Sequence, residues 1–250
     1  MTNWVAKNDK GQWLTGISVV LPAYNEEESI VEALELTVQA LEESFADYEV
    51  IVVNDASKDD TLRLTTEFAE KHPQVRVIDN EVNLGQGGSL CKAFSAAEKD
   101  IISHNGVDLP LDPKDYTKLM PYLEKDDIVV AARTERAGYT FYRTIISVVN
   151  LVMLNVLFGL GLSDYNFVQL YKRQVWEKAK PTTRSTGFFY PEVIIRAHDA
   201  GFTIREIPIT YQARQKGVAT AGNPRVVLSS LRDLLSFWLL RLFGKQNAGS

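Results

Sequence analysis

Three short polar segments carry residue types that can do chemistry, and each follows an apolar, β-branched run. Pro22-Ala23-Tyr24-Asn25-Glu26-Glu27 comes after Ile17 to Leu21, and Asn54-Asp55-Ala56-Ser57-Lys58-Asp59-Asp60-Thr61 comes after Glu49 to Val53. The third, Asn105 to Pro113 with Asp108 and Asp112, comes after Ile101 to His104. Carboxylates in such loops can accept hydrogen bonds from a ligand's donors, and a tyrosine ring offers a stacking face. The second segment also reads as a turn with a helix N-cap. Three polar loops at one sheet edge point to a binding crevice instead.

Other chemistries find no footing. Gly85-Gln86-Gly87-Gly88-Ser89-Leu90 is close to a dinucleotide fingerprint, but Leu90 stands where its last glycine belongs and the motif follows the third strand instead of the first. A Gly-Lys-Ser/Thr phosphate loop and a Gly-x-Ser-x-Gly elbow are both missing. His72, His104 and His198 lack metal-ligand spacing and read as structural, and Cys91 is the single cysteine, so a zinc enzyme and a disulfide framework are both excluded.

The elements that must position these loops follow from periodicity. The continuous apolar runs are strands buried on both faces, with Pro22 expected to end the first. Helices are expected over Glu26 to Phe45, Thr61 to Lys71 and Leu90 to Glu98, and further strands over Val75 to Asp79 and Ile128 to Ala132. This βαβ rhythm predicts an α/β fold with a mostly parallel sheet flanked by helices. At 250 residues, 45% hydrophobic and 24% charged, the chain is long enough for a proper core, and disorder, collagen and coiled coil are excluded. No basic-then-apolar leader opens it, so a mature start in a reducing compartment is expected.

The net charge of -5 hides an asymmetry. Residues 1–130 hold 11 Lys/Arg against 25 Asp/Glu, and residues 131–250 hold 16 against 7, balances of -14 and +9. A basic half suits phosphate groups or an anionic membrane surface, although solvated helix faces would give the same count. Two apolar stretches bear on this. Ile145 to Leu162, interrupted by Asn150 and Asn155, falls short of the ~20 residues of a bilayer span and reads as an interfacial helix or, more readily, a core one. Val226 to Phe243 is a helix with a narrow polar stripe, which the domain, a partner subunit or a bilayer surface could cover.

Val19-Val20-Leu21-Pro22-Ala23-Tyr24-Asn25-Glu26-Glu27 followed by Val52-Val53-Asn54-Asp55-Ala56-Ser57 resembles the opening of a family 2 glycosyltransferase of GT-A fold. The match runs on through Asn83 to Gly87 and Val107 to Pro113. A second set (Ala132-Arg133, Arg143 to Asn150, Asp164 to Tyr171, Gly187 to Glu192, Gly201 to Pro208 and Arg214 to Gly217) is similar to polyprenyl-phosphate (dolichol-phosphate) sugar transferases. The resemblance implies a GT-A domain over 17–222, after an extension over 1–16 and before a C-terminal amphipathic helix and tail over 223–250. It implies a GDP- or UDP-sugar donor held by Pro22, Ala23, Tyr24, Glu26, Asp55 and Gln86. It also implies a polyprenyl-phosphate acceptor whose phosphate meets Arg143, Ser147 and Arg214. Asp108, Arg133, Arg143 and Arg214 are then the catalytic set.

Such enzymes hold the diphosphate with magnesium or manganese on a DxD-type motif, which here would leave Asp108 as the metal ligand. The motif departs from the pattern. Its first acid is Gly106 and its following glutamine is Pro110, with Asp112 or Asn105 as possible substitutes. The expected place of work is the cytoplasmic face of a membrane, bound peripherally, with no nucleic-acid partner. A soluble sugar or protein acceptor, and a non-catalytic nucleotide-sugar binding protein, are the alternatives.

Overall fold

The computed structural model describes residues 3–135, 141–183, 185, 187–211 and 224–246. Its centre is a seven-stranded sheet in the order β3-β2-β1-β4-β6-β5-β7. The strands are β1 (Ile17–Ala23), β2 (Tyr48–Asn54), β3 (Val75–Asp79), β4 (Ile101–His104), β5 (Ile128–Arg133), β6 (Gln169–Lys172) and β7 (Ile204–Ile209). β6 alone is antiparallel, wedged between β4 and β5.

Alternation along the central strands divides the core into two layers. Val19, Leu21, Val50 and Val52 face α1 (Ile30–Ser44), whose Ile30, Ala33, Leu34, Val38 and Leu41 return at helical spacing. Val20, Ile51 and Val53 face the other layer with Leu90 and Phe94 of α3 (Gly85–Ala96), Val175 and Trp176 of α6 (Arg173–Ala179) and Phe189, Val193 and Ile194 of α7 (Phe189–Asp199). Full burial of each such side chain stabilises the fold by about 1.5–3 kcal/mol. The segment before β1 belongs to the same body: Trp13 is buried in the α1 layer and bridges to Phe45.

Several expected boundaries shift for physical reasons. β1 continues through Pro22 to Ala23 because β4 pairs only as far as Val20↔His104, so the imide nitrogen of Pro22 meets no ladder acceptor on that side. α1 begins at Ile30 instead of Glu26, because the Glu26 and Glu27 N–H groups donate to Thr61 Oγ1 and Asp59 Oδ2 in the next loop. α2 (Thr61–Ala69) ends two residues early, and α3 starts five residues early, at Gly85. A side chain at Gly88 would have its Cβ 2.7 Å from Leu84 Cβ, so glycine permits that first turn. β6 and β7 were not expected from periodicity.

The largest correction concerns the apolar stretches. α5 (Phe141–Phe158) is not a core helix; it is largely exposed and is long and apolar enough, by length and composition, to cross a membrane. It touches α8 (Pro224–Gln246), and both turn apolar side chains outward, with Phe141 82%, Val156 76% and Leu240 72% exposed.

Candidate active site

β1 pairs with β2 on one side and with β4 on the other, so the direction of strand order reverses at β1, and the crevice outside the carboxyl ends of β1 and β4 is where open α/β sheets bind ligands. The loops there are stitched together. Asn25, at φ 55°, donates its N–H to Ser57 Oγ and accepts from Lys58 N–H on its side-chain carbonyl at 2.8 Å. Asp55 is buried; its N–H donates to Ala23 O, and its Oδ1 accepts from Asn80 Nδ2 at 3.0 Å and from Leu84 N–H at 2.8 Å. Pro22, Ala23, Tyr24, Glu26 and Asp55 are thereby held at one end of the crevice, with the Tyr24 ring exposed.

A cavity of 480 Å³ opens beside them, between the sheet edge and α5 and α8. It brings together Gln86, Asp108, Arg133, Arg143 and Ser147 of the sequence-derived set, and it does not include the five loop residues named above. Arg214 lies outside the described residues. Arg143 and Ser147 stand one turn apart on α5, where two side chains can share one anion. Arg133 has its charge matched: Nε and Nη2 donate to Asp164 at 2.6 and 2.9 Å, and the guanidinium lies 5.1 Å from the Phe167 ring centroid. The lining also takes apolar side chains from both helices, Ile146, Val149 and Met153 of α5 and Val226, Val227 and Leu231 of α8.

The altered motif does not supply a metal cage. Leu109, at φ 45°, closes a turn onto Gly106 O, and a Cβ at Gly106 would overlap the Asp108 carboxylate. Asn105 is consumed by Leu111 O, Leu111 N–H and Gly106 N–H, and Asp112 caps a short 3-10 turn by accepting from Lys114 N–H. Among the described residues no three His, Cys, Asp or Glu side chains form a metal-binding group, and the segments outside them contain none of these residue types. Of the two acidic positions of the motif, only the second, Asp108, is a carboxylate.

Sequence reasoning missed His104, Asp164, Asn166 and Tyr190, which also line the cavity. A histidine closing the buried Ile101–His104 strand, at the start of a polar loop, was the one available signal. His104 is buried and stacked on Tyr190, with ring centroids 4.3 Å apart, and burial pulls its pKa down to about 3, so the imidazole is neutral.

Comparison with known proteins agrees with this architecture. The chain is 29% identical over 224 residues to an undecaprenyl-phosphate 4-deoxy-4-formamido-L-arabinose transferase of Pseudomonas fluorescens, covering 88% of this chain and 64% of that protein. It is 27% identical over 231 residues to glycosyltransferase AglD of Haloferax volcanii, covering 89% of this chain and 37% of AglD. The chain thus spans less than two thirds of the length of these relatives. Glucosyl-3-phosphoglycerate synthase from Mycobacterium tuberculosis, solved with Mn2+, UDP-glucose and phosphoglyceric acid, has the same fold at a TM-score of 0.69 and 22% identity, over 90% of this chain and 80% of that one. The family model for glycosyl transferase family 2 matches residues 18–189, and the chain belongs to that family, with its GT-A fold.

Proposed function

We propose that this chain transfers a hexose from a nucleoside-diphosphate sugar to a polyprenyl phosphate at the cytoplasmic face of a membrane. The observation that carries the reading is the mixed lining of one cavity: Arg143 and Ser147 together with apolar side chains of α5 and α8, two helices whose outer faces are apolar and exposed. An acceptor with an anionic head and a hydrocarbon tail matches both kinds of lining. The relatives named for undecaprenyl phosphate support the same acceptor class.

The transfer is an inverting displacement. An oxygen of the lipid phosphate forms the new bond to the anomeric carbon as the bond to the nucleoside diphosphate breaks, and the diphosphate leaves with that electron pair. The attacking oxygen is ionised at neutral pH, so no general base is required. Catalysis falls to positioning and charge neutralisation. Arg143 and Ser147 hold the acceptor phosphate, and Arg214, carried by a segment that leaves the described structure at Tyr211 and rejoins it at Pro224, is assigned to the same anion. Arg133, locked to Asp164, shapes the wall between donor and acceptor.

On the donor side, Asp55→Asn is expected to lower affinity for the bound nucleoside diphosphate at least about tenfold, the scale of one hydrogen bond to a charged group. Calorimetry with UDP and GDP reads it. Unchanged affinity would remove Asp55 from the donor site.

Membrane docking is tested by flotation with vesicles containing anionic lipid and polyprenyl phosphate. Each basic side chain near such a surface contributes about 1 kcal/mol, and that part weakens as salt shortens the Debye length. Apolar insertion is insensitive to salt. Binding is therefore expected to fall partly with salt and to drop further when residues 224–250 are removed. A chain that stays in the aqueous fraction at low salt would favour a soluble acceptor.

A further inference from the structure

α8 docks on the catalytic domain through Ser230, Leu234, Phe237 and Arg241, whose spacing places them along one helical stripe. Arg241 donates from Nε and Nη2 to Asp199 of α7 at 2.7 and 2.5 Å. Phe237 packs on Phe158 and Phe188, with ring centroids 5.9 and 5.6 Å away, and Leu234 is buried in the same layer. Ser230 Oγ accepts from the Gly187 N–H at 3.2 Å. Of these docking residues Ser230 alone lines the cavity, and Gly187 lines it too.

Glycine is what lets the two come so close. A Cβ on residue 187 would overlap Ser230 Oγ and stand 2.9 Å from Ser230 Cβ, inside van der Waals contact. The domain side has little room to retreat. Phe188 and Phe189 follow directly and are buried, and the buried Glu192 carboxylate holds Thr182 and Thr183 by their N–H groups, at 2.8 and 2.9 Å, and by their hydroxyls. A close-packed interior transmits such an overlap instead of absorbing it. α8 is the part that gives, because outside its docking stripe Leu228, Leu240 and Phe243 are exposed. With Arg241 still tied to Asp199, the displacement falls on the Ser230 half of the helix, which carries the cavity-lining Val226, Val227 and Leu231.

Resting on the proposed function, we infer that Gly187 and Ser230 are positioning residues for the acceptor: their contact sets the gap between α8 and the domain, and with it the width of the cavity that receives a polyprenyl phosphate. The loops carrying Pro22, Tyr24 and Asp55 are outside this lining, so the nucleoside diphosphate is held independently of the contact. Misplacing a reactant by on the order of 1 Å costs up to about 100-fold in rate, so one methyl group at residue 187 is enough to be read in transfer.

The test uses the full chain, labelled UDP- and GDP-sugars as donors and polyprenyl phosphate in mixed micelles as acceptor. Gly187→Ala is expected to lower kcat/KM for polyprenyl phosphate at least about tenfold, with calorimetric affinity for UDP and GDP unchanged. Ser230→Gly removes both of the overlapping atoms. The double variant Gly187→Ala/Ser230→Gly is therefore expected to recover most of the transfer, a rescue that a general loss of stability or a backbone fault at residue 187 would not show. Ser230→Val enlarges the same contact from the helix side and should reproduce the loss, so a folding defect in Gly187→Ala leaves a second reading of it. Transfer by Gly187→Ala and Ser230→Val at the parent's rate, a matching fall in nucleotide affinity, or a double variant no better than Gly187→Ala would overturn the inference while leaving the proposed function in place. A parent chain that leaves the lipid unglycosylated with every donor would overturn the proposed function and the inference together.

Discussion

Asp164→Ala is expected to destabilise the fold by about 3–5 kcal/mol, because it leaves a buried guanidinium without its counter-charge. The pair is 2.6 Å at its shorter contact, with the Arg133 and Asp164 side chains 10% and 4% exposed, and the Asp164 carboxylate also receives the Asn166 N–H. In a chain of this length each kcal/mol shifts the melting temperature by about 2–4 °C, so a fall on the order of 10 °C should be seen. The double variant Arg133→Met/Asp164→Leu should recover most of the loss, since an apolar pair of similar volume avoids desolvating two ions. Denaturant melts of the two single variants and the double variant give the coupling. A single variant within 1 kcal/mol of the parent would mean that water reaches Arg133, and that its cation is open to a ligand.

The second large effect is a pH dependence of stability that belongs to His104. Its folded-state pKa is about 3, set by burial, against 6.5 for the exposed imidazole. The folded-state value is depressed, so the unfolded chain takes up a proton in a range where the folded chain does not. The contribution is therefore complete above pH 6.5 and is lost as pH falls toward 3. Neighbouring phenols do not compete, since burial raises the pKa of Tyr116, Tyr171 and Tyr190. Carboxylates held low by hydrogen bonds in the folded chain, such as Glu192 with Thr182, Thr183 and Arg196, regain their ordinary 4.5 on unfolding, so their contribution is lost mainly below that pH. Between pH 6.5 and 4.5 the parent should lose about 2 kcal/mol through this group, the slope approaching roughly 1.4 kcal/mol per pH unit below pH 6. His104→Phe should flatten that slope in urea melts. Parallel slopes for parent and variant would show that the imidazole is already protonated in the folded chain.

Much of the site was legible because its framework is local. Ile17 to Leu21 and Glu49 to Val53 read as buried parallel strands from their β-branched apolar runs, and Asn54 to Thr61 read as a polar loop at their ends; the structure places Asp55 there, joined to Asn80 and Leu84. The rest depends on partners distant in the chain. Gln169–Lys172 is four residues long and half polar, and it becomes a strand only because β4 and β5 flank it. The Arg133–Asp164 pair spans 31 residues and has no signature in either segment. His104 read as structural, and the stacking partner that buries it, Tyr190 of α7, is distant in the chain. Ile145 to Leu162 read as core because hydrophobicity reports that a face must be covered and is silent on what covers it; in the structure that face is open.

The central claim is that the acceptor is a lipid phosphate held by Arg143. Its most direct measurement supplies the chain with radiolabelled UDP- and GDP-sugars and polyprenyl phosphate in mixed micelles, then partitions the products between organic and aqueous phases. The account predicts that label from one of these donors enters the organic phase as an acid-labile sugar phosphate, and that Arg143→Ala lowers this transfer about 100-fold, the scale of one charge-assisted hydrogen bond to phosphate, with donor affinity unchanged. Label that stays in the aqueous phase while a soluble phosphate such as phosphoglycerate is glycosylated, or equal transfer by the parent and Arg143→Ala, would contradict it.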